Sequence, residues 1–446
     1  MNPRRFFLVS ALAALIFAPS APQPLAAQDQ QGYSLERCIE TGMKNNIETL
    51  RARNDVRRSA TYKTEAYGQF LPSVRGNATW SRSDEEQLAF RADNFLRSRN
   101  SYSYNMQAGL TIFDGMRNFN TVDQSLLQHE AAEAGFAHMR SYIVFSIQQA
   151  FYNALRAAQL TRVAESNLER SKGQLERIRE MNVVGSVPQA DVYRQQVVVG
   201  NDELALIEAN NNAQNALVDL QALIGLTPVA DFKLRSDGVE DAVALEDVAS
   251  FRAGLGEFAP LVREAEQRRS DFRQAELGVR SADKAVSVAQ AGHWPTLTAF
   301  AQYNWNNLEL ADFMLYDRFI YGMQLSVPVF SNFQVSSTVE RSELQRLDNE
   351  LMLEQLRRSI ATEVMKALNA LEAAEKNVDI SAKKLQSARE DQRIASERYD
   401  LGAGTLLDLT TANANLTMAE SDVVNATFNY RTARKHIEYQ LGRNQN

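Results

Sequence analysis

The side chains most often recruited for catalysis or metal binding are scarce in this chain and poorly spaced for either. His129, His138, His293 and His436 are its only histidines, and no two of them stand at a zinc-site spacing or beside a nucleophile motif. No Gly-rich phosphate loop occurs. Cys38 is the single cysteine, so a disulfide within the chain is impossible. Leu35-Glu36-Arg37-Cys38 faintly resembles a lipid-attachment box, but charged residues stand where such a box needs small ones, and Cys38 reads as a half-buried thiol. The acidic residues that draw notice are Asp191 and Asp408, each six residues after a glycine, Gly185 and Gly402. Thr405-Leu406-Leu407-Asp408 has the form of a helix-start capping box, and Ser186-Val187-Pro188-Gln189 fits similarly, with Pro188 suited to a first turn. This is electrostatic and helix-starting chemistry. It does not describe an enzyme, and the residues ask for no cofactor or metal.

The elements that would place these groups begin with an export signal. Arg4 and Arg5 precede an apolar run over 6–18, and small residues lead to Ala27, the pattern of a secretory signal peptide over 1–27. The run is shorter than the ~20 residues a spanning helix needs. Removing it takes the formal charge from −7 to about −9, an acidic excess that argues against nucleic-acid binding.

The remainder is one unit written twice. Phe113 and Phe330, Gly185 and Gly402, Asp191 and Asp408, and Gly225 and Gly442 are each separated by 217 positions. Upstream, Phe70-Leu71-Pro72-Ser73-Val74 answers to His293-Trp294-Pro295-Thr296-Leu297 at an offset of 223. The repeats occupy 28–226 and 260–446, with a linker over 227–259. Each repeat predicts a helix (34–69, 260–291), two strands (73–82 and 101–113, 296–306 and 318–330), a very long helix (116–182, 333–399), a glycine turn and a last helix (188–224, 405–440).

Strands are predicted because apolar and polar residues alternate. Tyr102, Tyr104, Met106, Ala108 and Leu110 interleave with Ser103, Asn105, Gln107 and Gly109, and Phe319, Tyr321, Met323 and Leu325 with Gly322, Gln324 and Ser326. A soluble sheet with one buried face would alternate too. Two features favour a membrane: the lengths are close to the roughly 9–11 residues that cross a bilayer, and Trp80, Tyr102, Tyr104, Tyr303, Trp305, Phe319 and Tyr321 cluster as an interfacial aromatic girdle would. The long helices, about 100 Å each, carry heptads. Ile360, Ala367, Ala374, Ser381 and Ala388 form one column and Val364, Leu371, Val378 and Leu385 the other. Small residues in one column suit side-by-side packing into a tube of helices; a solvated helical hairpin is the alternative.

Four membrane strands cannot close on themselves, and open edges in lipid leave backbone groups unsatisfied. The fold class is therefore mixed α and β: a long antiparallel α-helical coiled-coil barrel joined to a transmembrane β-barrel shared between subunits, with four strands per chain and two internal repeats. Such an object is a conduit. The duplicated order, the two proline-marked helix-to-strand joins and the turn segments Met181-Asn182-Val183-Val184-Gly185 and Tyr399-Asp400-Leu401-Gly402-Ala403-Gly404-Thr405-Leu406-Leu407-Asp408 resemble the TolC-type outer-membrane efflux proteins over nearly the whole mature chain. The resemblance implies a homotrimer in outer-membrane lipid, a helical tube in the periplasm, and a periplasmic adaptor and inner-membrane pump as partners. A protein-secretion duct of the same fold, or a periplasmic coiled-coil spacer, are the alternatives.

The same resemblance places Asp408 in an acidic ring at the closed tip of the tube, with like charges converging on an axis. It implies that Tyr399 and Asp191 occupy positions that latch neighbouring helices. The family often has a second acidic residue where this chain has Thr411, and a basic one where it has Gly404. A double ring and a basic latch are therefore not implied here. If the export reading holds, N-terminal sequencing of protein from the outer-membrane fraction will begin near Gln28; an intact 4–18 segment would contradict it.

Overall fold

The structure, a computed structural model, describes residues 32–91, 94–236, 243, 245–310 and 317–444; the expected signal peptide lies outside them. Two helices of 67 residues dominate it, α3 (Arg117–Val183) and α8 (Gln334–Asp400). Each turns back into a 35-residue partner, α4 (Gln189–Leu223) and α9 (Leu406–Gln440). Ile360, Ala367, Ala374, Ser381 and Ala388, with Val364, Leu371 and Val378, form the buried stripe of α8, and Ile147, Ala154, Thr161, Leu168 and Leu175 that of α3. The heptad therefore marks the faces that pack.

The helices expected over 34–69 and 260–291 are each broken in two, which corrects the sequence reading. The first is α1 (Leu35–Asn45) and α2 (Ile47–Gly68); the second is α6 (Phe258–Arg268) and α7 (Ser270–Gln290), followed by a 3-10 turn (Ala291–His293). Asn46 takes an extended conformation, and its Oδ1 accepts from the amides of Glu48 (2.9 Å) and Thr49 (3.2 Å), supplying a cap that starts a new helix. Its Nδ2 donates to Leu223 O at 2.8 Å. Arg269, 223 positions on, breaks the second helix with the same extended backbone but without a side-chain cap, and it donates to Gln440 Oε1 at 2.6 Å. Leu223 and Gln440 are themselves separated by 217 positions. Each break thus ties the entry of a repeat to the end of its last helix. Arg269 is buried, and Asp271 (2.7 Å) and Glu363 (2.8 Å) compensate its charge. Above the linker expectation of 227–259, a short helix α5 (Leu245–Ala253) lies in the connection, and Phe232 enters the core of the first repeat.

The strands β1 (Ser73–Arg91), β2 (Asn94–Phe113), β3 (Thr296–Asn307) and β4 (Asp317–Ser326) form one antiparallel sheet in the order β1-β2-β3-β4. β1 and β2 run beyond the expected 73–82 and 101–113, but their ladder is interrupted between Arg82 and Gln87, so the regular part is the stretch from Ser73 with Gly109 to Arg82 with Asn100. β4 stops at Ser326 rather than 330; Pro328 has no N–H to continue a ladder.

The register decides which residues share a face, because directly opposed residues of an antiparallel pair point the same way. Trp80 opposes Tyr102, Tyr104 opposes Trp305, Met106 opposes Tyr303, Tyr303 opposes Phe319, and Ala301 opposes Tyr321. The seven girdle aromatics and Met106 and Met323 therefore lie on one face of the sheet. The other carries Thr79, Ser103, Gln107, Gln302 and Gln324, with Asn105 hydrogen-bonded to Asn304. Trp80, Phe319 and Tyr321 are well exposed, whereas Trp305 is only 2% exposed: it shares the face but is enclosed by its own chain.

Both strand pairs enter their long helix through the same corner. Gly115 and Met116, and 217 positions later Asn332 and Phe333, have positive φ. A side chain at Gly115 would meet Trp294 Cβ at 2.6 Å, so the corner beside the proline join admits only glycine. Asp114, buried next to it, accepts from the Asn118 amide at 3.0 Å and caps α3 in place of Met116.

Arginine at Met106 or Met323 should cost about 2–4 kcal/mol if that face meets lipid near the midplane, while arginine at Gln107 or Gln324 should be far milder. Reversible unfolding in lipid measures the difference; equal tolerance on both faces would take the sheet out of the membrane.

Candidate functional site

The far end of the helices, opposite the sheet, is made by two turns of one design. At the end of α3 the Gly185 amide bonds Asn182 O (2.9 Å) and the Ser186 amide bonds Met181 O (2.8 Å); at the end of α8 the Gly402 amide bonds Tyr399 O (3.0 Å) and the Ala403 amide bonds Arg398 O (2.8 Å). These pairs satisfy the last carbonyls of each helix, and they require the left-handed conformation that Gly185 (φ 79°) and Gly402 (φ 70°) adopt. The turn glycines fix how tightly each helical hairpin reverses.

Asp408 stands in the first turn of α9, exposed, and completes a capping box. Its amide donates to Thr405 Oγ1 (3.1 Å), and its Oδ2 accepts from the Thr405 amide (3.2 Å) and hydroxyl (2.8 Å). The Thr405 hydroxyl, then the Thr405 amide, and more weakly the Arg398 charge, hold the Asp408 carboxyl below its ordinary range. Thr411 lies one turn further on, also exposed. The cap reading of Asp408 is thus realised within the chain, and the carboxylate remains open to solvent while it caps.

Asp191, Tyr399 and Gly404 meet around a cleft of about 560 Å³ between the two turns, with Ser186, Arg194 and Thr405. Within the chain Tyr399 and Asp191 make no hydrogen bond to each other. Asp191 binds Arg194 at 2.9 Å instead, and the Tyr399 hydroxyl is buried without a hydrogen-bond partner. Burial first, then the Asp191 and Asp400 charges, raise the Tyr399 pKa and keep the phenol neutral. Gly404 has no room to spare: a Cβ there would come within 3.2 Å of Arg398 Cβ and of the Tyr399 amide nitrogen.

Three arginines at this end were not singled out from the sequence. Arg194 follows Asp191 by three residues and was legible from helical spacing. Arg398 lies beside Ala403 O (3.3 Å), and Arg177 reaches Asp400 at 3.7 Å from the other repeat, a pairing with no local signal. Higher up, Arg170 bridges to Glu420 (2.9 Å), again across repeats. Among the described residues no cluster of His, Cys, Asp and Glu could hold a metal. Burial pushes the Cys38 thiol up to about 12, leaving it protonated and inert.

A sheet with one apolar and one polar face and two unpaired edges, continued at one end by long helical hairpins, defines a subunit of a membrane channel. Comparison with known proteins gives the same class. The outer membrane efflux protein family matches residues 39–226 and 261–443. The chain is 23% identical to the outer membrane protein TolC of Escherichia coli over 430 residues, 92% of this chain and 83% of that protein. It is 23% identical to the pyoverdine export outer membrane protein OpmQ of Pseudomonas putida over 418 residues, 90% and 86% respectively. The fold superposes on the crystal structure of VceC from Vibrio cholerae with a TM-score of 0.75 at 18% identity, covering 92% of this chain and 96% of that one. For CusC the TM-score is 0.75 at 15% identity, covering 97% and 100%.

The chain belongs to the outer membrane efflux protein family. It is an exit channel in the outer membrane, a homotrimer whose helical tube stands in the periplasm and which works with an adaptor and an inner-membrane pump.

The capping box makes a local prediction. Thr405→Ala should lower the stability of the first turn of α9 by about 1 kcal/mol at neutral pH. Because the folded pKa of Asp408 is depressed, its contribution is present above the ordinary carboxylate pKa and is lost as pH falls through the lowered value. The Thr405→Ala penalty should therefore shrink in acid. Amide hydrogen exchange over 406–410 reads this, and a pH-independent penalty would remove the carboxylate from the cap.

Proposed function

We propose that the two turns form the periplasmic gate of the channel, with Asp408 as its selectivity element. In a trimer three copies of Asp408 stand at the tip, and the observation that carries the reading is that each carboxylate is exposed and held ionised while it caps α9. Like charges brought towards one axis repel one another and gather cations. Thr411 adds a neutral hydroxyl one turn further along, so the ring is single. Passage through the gate is conduction: the chain is proposed to carry no catalytic step, the work being done by the pump, and to reach the outer membrane through its 1–27 signal.

The latch in this reading is weak. Within one chain Tyr399 and Asp191 share the cleft without a hydrogen bond, and Gly404 offers no cation. Arg177 with Asp400 joins the two repeats across an exposed surface, where an ion pair contributes little. The resting tip is accordingly loosely shut.

Asp408→Asn keeps a capping acceptor and removes the charge. In planar bilayers it should abolish cation preference and block by multivalent cations added from the periplasmic side. Unchanged selectivity and block would reduce Asp408 to a cap.

A further inference from the structure

Taken across the strands rather than along them, the polar face of the sheet gathers positive charge in one band. Arg75 opposes Gln107, Gln107 opposes Gln302 and Gln302 opposes Ile320; the next row on that face is Asn77, Asn105, Asn304 and Arg318. Arg75 lies near the helix end of β1 and Arg318 near the hairpin end of β4, yet the register sets them in adjacent rows, roughly 7 Å apart along the strands. Amide side chains fill the places between them, with Asn105 bonded to Asn304. Both arginines are exposed, and neither forms an ion pair among the described residues.

Nothing on that face offsets the two charges. Over the regular ladder, residues 73–82, 100–113, 296–307 and 317–326, the only carboxylate is Asp317. It stands on the apolar face opposite Trp305, where the Tyr303 hydroxyl donates to it. Arg82, two residues after Trp80, also belongs to the apolar face. The extension of β1 and β2 beyond Arg82 carries both signs, Asp84, Glu85 and Glu86 with Arg97 and Arg99. The whole chain has a formal charge of −7, so a face with cations alone runs against its composition.

The chemistry of such a band is that of oxyanion recognition. A guanidinium offers a planar fork of donors that matches a carboxylate or phosphate, and the amide groups of Gln107 and Asn304, opposite Arg75 and Arg318, add further donors. Eight strands make a barrel that side chains can fill, and a larger number leaves an open bore. In the twelve-stranded barrel of the homotrimer the polar face therefore lines water, enclosed by a wall of low dielectric that focuses the field of its charges.

We infer that the band spanning Arg75 and Arg318 is an anion-binding site in the bore of the β-barrel, taking solutes that bear carboxylate or phosphate groups on their way out. Each chain carries the site on its own sheet, and a homotrimer brings six guanidiniums to the bore. The site lies at the other end of the duct from Asp408 and does not depend on the gate. An exported solute meets carboxylates where it enters and guanidiniums where it leaves.

Block of the full-length trimer in planar bilayers tests this, with inorganic pyrophosphate or citrate added from the extracellular side. Pyrophosphate should reduce the current, and the double variant Arg75→Gln/Arg318→Gln should raise its half-blocking concentration about tenfold or more. Each single variant should give a smaller rise. Arg75→Lys/Arg318→Lys keeps the charge and loses the fork, so its half-block should fall between those of the parent and the glutamine variant. Block by pyrophosphate alone would identify phosphate-bearing solutes, block by citrate alone carboxylates, and block by neither would overturn the site. Arg82→Gln removes an equal charge from the outer face and should leave the block unchanged; an equal loss there would overturn the assignment to the bore. Glutamine variants that remain trimeric by native mass spectrometry and are blocked as strongly as the parent would also overturn it. Cation block from the periplasmic side reads Asp408 separately, so the gate and the anion site can each fail alone.

Discussion

A backbone amide at a sheet edge has no water to bond with inside a bilayer, and each one left unpaired there costs several kcal/mol. β1 and β4 present two rows of such groups in a chain that has no further strand to offer among the described residues. This constraint governs the rest of the molecule. The sheet must be completed by other copies, its apolar face must turn outward and its polar face inward, and the helices that leave both strand pairs must emerge on one side. With three copies of four strands the wall closes as a barrel, and α3 and α8 continue it as a tube.

Duplication lets one set of backbone devices be used twice while the side chains diverge. The turns at Gly185 and Gly402, the corners at Met116 and Phe333, and the breaks at Asn46 and Arg269 occupy equivalent places in the two repeats. Their chemistry is not equivalent. Asn46 caps with a neutral amide, whereas Arg269 buries a charge that Asp271 and Glu363 must compensate. Gly115 is held to glycine by Trp294, while its counterpart Asn332 bears a side chain. The repeats therefore tolerate different substitutions at the same point in the fold.

Much of this architecture was legible in the sequence because its signals are local and periodic. Alternation through Tyr102, Tyr104 and Met106 marks a strand with two unlike faces, and the Ile360 and Val364 columns mark the packed stripe of a helix. The breaks at Asn46 and Arg269 were not legible: both segments read as continuous helices, and at each break the side chain bonds a helix end far along the chain. The burial of Trp305 was not legible either, because alternation reports which face a side chain takes and not how far it is covered. At the tip, the capping box around Asp408 could be read from four residues. The separation of Tyr399 from Asp191 could not, because Arg194 wins the carboxylate by being nearer on the same helix. Arg170 with Glu420 joins the two repeats, and no spacing rule reaches that far.

β2 and β3 lie side by side in the sheet, yet the whole of α3 to α7 separates them in the chain. Each hairpin closes over a short loop, but joining the two hairpins requires a very long loop to close, and that entropy is unrecovered until the pairing forms. Once formed, the intervening helices shorten the loop that must close and so reduce the cost. During synthesis and export the amphipathic strands of the first repeat emerge well before their partners, so the chain passes through a stage in which a two-stranded ribbon waits in water with its aromatic face uncovered. An unaccompanied ribbon of that kind is marginally stable and prone to pair with the wrong edge. The architecture therefore places a demand on the cell beyond the finished channel: the young chain has to be shielded until its second half has arrived.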